Sequence, residues 1–280
     1  MKILITGAHG QLGQQLKRKL SETHFVVCQG KKELDITHKE EAEERIIHIN
    51  PEIIIHAAAY TAVDQCEIQK KKAFEVNGIG AGYIAQAASK IGARVIYISS
   101  DYVFDGKKQS PYTEKDETNP QSIYGMSKWL GEKLVMEFNN GTIIRTSWLY
   151  GHEGNNFVKK MIELGKKGRD IKVVSDQIGS PTYVNDLVET MIHLLDKSSG
   201  TYHISNTGSC SWYEFAKCIF NEAGFNPDLI HPTTTKDYGA LAPRPCNSIL
   251  EHTALKYVNI PSPRKWDIAL REFIRKELIK

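Results

Sequence analysis

Five short runs in the first half of the chain are apolar without alternating: Ile3–Thr6, Phe25–Cys28, Ile53–Ala57, Val95–Ser99 and Thr142–Arg145. A strand with one face in water alternates apolar and polar positions, whereas a continuous β-branched run marks a strand covered on both faces. Between these runs lie Gln11–Leu20, Glu40–Ile49, Lys71–Ile91 and Ser127–Phe138, whose apolar residues fall at helical spacing. Strand and helix in strict alternation predict an α/β fold with a doubly wound parallel sheet.

Beyond Tyr150 the pattern is less regular. Asn185 is expected to cap a helix carrying Leu187, Met191 and Leu194, and Ser211-x-x-Glu214 is a capping box opening another that runs toward Gly224. Prolines then gather (Pro227, Pro232, Pro243, Pro245, Pro261 and Pro263), which predicts ordered loops rather than regular elements. The expected division is residues 1–148 as a dinucleotide-binding domain, with segments returning to it from about 171–204, and 149–280 as a smaller, loop-rich C-terminal substrate domain.

Composition narrows the class. A chain of 280 residues that is 41% hydrophobic supports a large core. Its 36 basic and 33 acidic residues leave a net charge of +3, too balanced for a nucleic-acid binder, though compatible with a local basic pocket for an anion. Cys28, Cys66, Cys210, Cys218 and Cys246 are scattered and form no Cys-x-x-Cys pair. Neither a disulfide framework nor a thiolate metal site is expected, and a reducing compartment fits. The opening run Lys2–Ile5 is too short for a signal peptide, and no later run approaches membrane-spanning length, so a cytoplasmic protein without a membrane partner is expected.

The chemistry begins at Gly7-x-x-Gly10-x-x-Gly13, which follows the first run directly and opens the first helix. Glycines there let the chain turn tightly and let a pyrophosphate approach the free amides of the helix start, so Gly7, Gly10, Gln11, Leu12 and Gly13 are candidate contacts of a Rossmann-type dinucleotide site. The second strand runs out into Gln29-Gly30-Lys31-Lys32, with two ammonium groups and no carboxylate for ribose hydroxyls. That favours NADP(H), with NAD(H) as the alternative. Asp35 and Ile36 suit an adenine, carboxylate to the exocyclic amine and isoleucine to the ring.

Tyr124 and Lys128 lie one helical turn apart. A cation beside a phenol favours its ionised form and lets it exchange protons. Ser100 ends the fourth run and supplies a hydroxyl for the oxygen that receives the proton. Hydride transfer needs that set: the cofactor brings the hydride, and the protein brings a proton and a dipole.

Several runs resemble the extended short-chain dehydrogenase/reductases and, within them, the dTDP-4-dehydrorhamnose reductase family. They are Ile3–Gly13, His56–Asp64 (His-Ala-Ala-Ala-Tyr-Thr-Ala-Val-Asp), Ser99–Asp105, Tyr124–Lys128, Arg145–Tyr150, Asn155–Phe157, Asp176–Thr182 and Arg244–Ser248. The glycine loop and the Tyr–Lys pair are shared across the superfamily; the other runs are more specific. The resemblance implies that Tyr124 donates the proton, Lys128 assists it and Ser100 stands where relatives carry Ser or Thr. It places Ala58, Ala59, Tyr60, Thr61 and Ile98 along the cofactor, with Tyr124 and Lys128. It places Ser100, Asp101, Trp148, Asn156 and Arg244 against the substrate, the nucleotide framed by Gly179–Thr182 and Arg244–Ser248.

The implied activity is NAD(P)H-dependent reduction of the 4-keto group of dTDP-4-dehydro-L-rhamnose, with a homodimer possible. Gln14 and Gln15 are amides where a carboxylate would serve a bridging Mg²⁺, so no metal site is expected. Two alternatives stand beside this: another nucleotide-sugar reductase or 4-epimerase, and a non-catalytic regulatory subunit of reductase shape.

Overall fold

Alternate residues of one strand serve opposite cores. In a computed structural model describing residues 1–139 and 141–278, Ile3 and Ile5 point into one hydrophobic cluster and Leu4 into another, all three fully buried. They belong to β1 (Lys2–Thr6), which is joined by β2 (Phe25–Gln29), β3 (Ile53–His56), β4 (Arg94–Ser100), β5 (Thr142–Thr146) and the edge strand Gly200–His203. The strands are parallel in the order β2-β1-β3-β4-β5 and then Gly200–His203. Helices Gln11–Leu20 and Val184–Leu194 cover one face, and Lys39–Ile49 and Gly80–Lys90 the other. The apolar runs are unbroken because both faces are dry. The fold is the expected Rossmann-like one. Winding reverses between β1 and β3, and the crevice at their carboxyl ends is where such sheets bind ligands.

Two expected helices differ in a way that shapes the site. Lys71–Ile91, read as one helix, is Lys70–Ala73, a π-helical segment Phe74–Ile79, and Gly80–Lys90. The distortion presents the fully buried Asn77: its amide accepts from the Tyr60 N–H at 2.7 Å and donates to the Tyr60 carbonyl at 3.0 Å. Its own carbonyl takes the Tyr97 hydroxyl at 2.7 Å. The helix expected to start at Ser127 starts at Ile123, because the Ser122 hydroxyl caps it by accepting the Gly125 N–H at 3.1 Å. Tyr124 and Lys128 therefore both stand on its first two turns.

A third cluster, which includes the aromatics Tyr150, Tyr183, Phe215, Phe220 and Phe273, fills the C-terminal part. The capping box of Ser211 and Glu214 forms and opens helix Trp212–Glu222. Asn185 does not cap: Tyr183 precedes the helix, and the Asn185 amide is turned back to the Tyr183 hydroxyl at 2.8 Å. Pro232, expected in a loop, lies in the strand Ile230–Thr233 paired with Ile171–Val174. Because that pair packs on the third cluster through Val173 and Ile230, the segment returning to the main sheet begins at Val184 rather than near 171.

Candidate active site

Gly7 holds φ +68°, and a Cβ there would lie 2.5 Å from the Ala58 nitrogen, so only glycine lets the ends of β1 and β3 meet this closely. Gly10 precedes helix Gln11–Leu20 with no capping side chain, leaving the amides of its first turn to a ligand. A cleft of about 540 Å³ opens there, lined by Gly7, Gly10, Gln11, Leu12 and Gly13. The same cleft takes in Ala59, Thr61 and Ile98 and ends at Ser100, Asp101, Tyr124 and Lys128.

A second cavity of about 290 Å³ shares Gly7, Gly10, Ala57 and Ala59 with the first and adds Lys31, Asp35, Ile36 and Ala58. This is where the sequence leads the adenine to be expected. Lys31 is exposed, its Nζ 3.8 Å from Asp35, while Lys32 is not among the lining residues. The Asp35 carboxylate already accepts the Thr37 N–H at 3.1 Å and hydroxyl at 2.7 Å through one oxygen, leaving the other toward Lys31. The expectation of no carboxylate at the end of β2 is corrected by Glu33. The turn at Gly30 brings it back, and its Oε2 accepts the Gly30 N–H at 2.8 Å and faces His9 Nε2 at 3.3 Å. Both contacts fall on that one oxygen, and Glu33 does not line the cavity.

Tyr60 is placed differently from its neighbours. Its backbone is clasped by Asn77 and its ring packs with Cys66, Val63 and Tyr124 beneath the Lys72 ammonium, outside the cleft lining. It stands behind the cleft wall rather than in it.

At the reacting end every group is buried: Ser100, Asp101, Tyr124 and Lys128 are all under a tenth exposed. Lys128 Nζ has no hydrogen-bond partner among the described residues and lies 4.0 Å from the centroid of the Tyr97 ring. Burial pushes its pKa down to about 7, opposed by Glu132. Burial pushes the Tyr124 phenol above its ordinary range, opposed by the Ser100 hydroxyl, so the tyrosine carries its proton. Ser100 donates to Asp101 Oδ1 at 2.8 Å and accepts the Tyr102 N–H at 3.2 Å. Its proton is thus held by a neighbour until a stronger acceptor arrives. Burial raises Asp101 to about 6 despite that bond, and its second oxygen has no partner among the described residues.

These features fit a dinucleotide. Uncapped helix amides suit the pyrophosphate, the free Lys128 ammonium and the free Thr146 hydroxyl await acceptors within the cleft, and Lys31 lines the second cavity beside Asp35 and Ile36. No group of three or more His, Cys, Asp or Glu able to hold a metal occurs among the described residues. No helix among them is long and apolar enough to cross a membrane.

Three substrate-side expectations are modified. Trp148 lines the cleft, but it adopts φ +48° and stacks on Trp212 with centroids 3.6 Å apart, so one flat face is covered from within. Asn156 spends its amide on structure: it caps helix Phe157–Gly165 through the Lys159 N–H and donates to Gln11 Oε1 at 3.0 Å, while Asn155 lines the cleft. Arg244 lies in an adjoining groove of about 370 Å³ with Lys160, Lys172 and Gln177, which meets the cleft at Val63, Tyr102 and Trp212. One of its nitrogens donates to Asp64 at 2.8 Å. Sequence reasoning missed Asn77, Trp212 and Glu33. Nothing local marked the first, which shares its helical run with Lys72 and Glu75, and Trp212 had no signal beyond following a capping serine.

A parallel doubly wound sheet whose glycine loop leads to a buried Ser–Tyr–Lys set defines an NAD(P)-dependent enzyme of the short-chain dehydrogenase/reductase type. The family model described as RmlD substrate binding domain matches residues 1–279, and the chain belongs to that family. It is 46% identical to the spore coat polysaccharide biosynthesis protein SpsK of Bacillus subtilis, covering 98% of this chain and 97% of that one. It is 41% identical to a dTDP-4-dehydrorhamnose reductase of Aggregatibacter actinomycetemcomitans, over 96% and 97% of the two chains. Among solved structures, the dTDP-4-dehydrorhamnose reductase of Bacillus anthracis in complex with NADP superposes with a TM-score of 0.95 at 47% identity, covering 98% of this chain and 99% of that one.

Proposed function

We propose that the chain reduces the 4-keto group of dTDP-4-dehydro-L-rhamnose to the alcohol of dTDP-L-rhamnose, with NADPH favoured as reductant, in the supply of deoxysugar for cell-surface polysaccharide. The observation that carries this is the convergence of Ser100, Tyr124 and the free Lys128 ammonium at the end of a cleft that starts on the glycine loop. The bound dinucleotide supplies the hydride. Tyr124, holding its proton in a dry site, donates it to the sugar oxygen as charge develops there. Lys128 stabilises the phenolate left behind, and Ser100 turns its hydroxyl from Asp101 to the same oxygen.

The groove beside the cleft supports the nucleotide part of the reading. Arg244, Lys160 and Lys172 give it positive charge for a diphosphate, and Phe157, Met161 and Trp212 give it an apolar wall for a base. The test is NADPH oxidation against a panel of 4-keto nucleotide sugars. The dTDP-linked 4-keto deoxysugar is expected to be the best substrate. NAD retained through purification, with no net oxidation of NADPH by any member of the panel, contradicts the proposal and indicates epimerase chemistry.

A further inference from the structure

We propose that Asp64 is a positioning residue that aims Arg244 at the substrate's diphosphate; this rests on the diphosphate reading of the groove given above. Asp64 stands in the short helix Val63–Ile68 that follows β3, remote in sequence from the arginine. Its Oδ1 accepts the Ala242 N–H at 2.9 Å and its Oδ2 accepts the Arg244 Nη2–H at 2.8 Å. One carboxylate therefore grips both the backbone and the side chain of the arginine's loop.

The other side of that loop is held independently. Gly106, at φ +76°, packs so closely that a Cβ would fall 2.5 Å from Pro245 Cα, and its carbonyl accepts the Asn247 N–H at 3.2 Å. With the backbone clamped before and after Arg244, the freedom left is in its own torsions. Asp64 fixes those. A long arginine otherwise loses that rotamer entropy when the ligand binds.

The direction of aim follows from what Asp64 leaves unused. Arg244 Nη1 is buried and has no hydrogen-bond partner among the described residues. The guanidinium carbon sits 6.0 Å over the Tyr102 ring, and that ring makes an edge contact with Tyr124 at 5.4 Å. The free nitrogen thus lies on the groove side, beside the Tyr102 ring that the groove shares with the catalytic cleft. A planar fork with one arm tied to a carboxylate offers its second arm to an oxyanion. Asp64 is nearly half exposed, so solvent screens its repulsion toward that anion.

The rival arrangement has the opposite sign. If Asp64 competed with the diphosphate for Arg244, removing its charge would tighten binding. Asp64→Asn keeps an acceptor for Ala242 and gives up the charge-assisted bond to Arg244. Calorimetric binding of dTDP to the full chain loaded with NADP⁺ is expected to weaken by about tenfold in this variant, the usual worth of a charge-assisted hydrogen bond. The sugar KM should rise in step, while the KM for NADPH and kcat change no more than about twofold, and Asp64→Glu should recover part of the loss.

Unchanged or tighter dTDP binding in Asp64→Asn overturns the proposal. So does a fall in melting temperature with dTDP and NADPH affinity lost together, which marks a structural role only. Arg244→Lys, measured alongside, separates the two levels. If it leaves dTDP affinity at the parent value, the diphosphate reading itself fails. If it weakens dTDP while Asp64→Asn does not, only the positioning role falls.

Discussion

The ammonium nitrogen of Lys128 lies 4.0 Å from the centroid of the Tyr97 ring, buried and without a hydrogen-bond partner among the described residues. The ring face offsets part of the desolvation, but burial still draws the lysine down to about 7. An unfolded lysine keeps its proton to ~10.4. Between those two values the unfolded chain binds more protons, so stability rises with pH across the window, and the penalty is complete below pH 7. Lys128→Met should therefore raise the melting temperature of the cofactor-free chain most at pH 6, with the advantage shrinking toward pH 10. Thermal scans of both proteins across that range check it. A variant less stable than the parent at pH 6 contradicts it.

Asp101 has the complementary behaviour. Its carboxyl is raised by burial to about 6, so the folded chain keeps a proton that the unfolded chain releases near ~3.9. Stability contributed by this group is lost as pH rises from about 4 to 6 and stays lost above. Asp101→Asn should gain on the parent across that interval and hold a constant lead beyond it. At about 1.4 kcal/mol per pH unit the lead is of order 3 kcal/mol. Denaturant unfolding at pH 4, 5, 6 and 7 measures it, and a gap that closes with rising pH is the wrong sign.

Of the two lysines expected to set cofactor choice, the prediction falls on one. Lys31 lines the second cavity with Asp35 and Ile36, and Lys32 does not. Lys31→Ala should raise the KM for NADPH a few-fold and leave NADH nearly unchanged, since an exposed contact is worth less than about 1 kcal/mol. Lys32→Ala should alter neither. Steady-state kinetics with both cofactors decide it. An equal effect of Lys31→Ala on both would make that lysine a solvated turn residue.

Much of this was legible because the sheet's dry faces leave unbroken apolar runs, and because a glycine loop and a Tyr-x-x-x-Lys pair are local patterns. Tyr124 and Lys128 needed only helical geometry to meet. What was hidden depends on partners distant along the chain. Asn77 distorts its helix to reach Tyr60 and Tyr97, and no local signal marks that. Trp148 looked like an open face because Trp212, which covers it, belongs to a later helix. Asn156 looked like a ligand and is a cap, since its remaining amide group is taken by Gln11. Arg244 looked free because its partner Asp64 follows β3.

The most direct test of the account is the initial rate of NADPH oxidation with dTDP-4-dehydro-L-rhamnose for the parent and for Tyr124→Phe. The parent should turn over, and the variant should be slower by roughly 10²–10⁴-fold, the usual worth of a general acid, while binding NADPH as before. No oxidation above background by the parent, or a variant as fast as the parent, would contradict it.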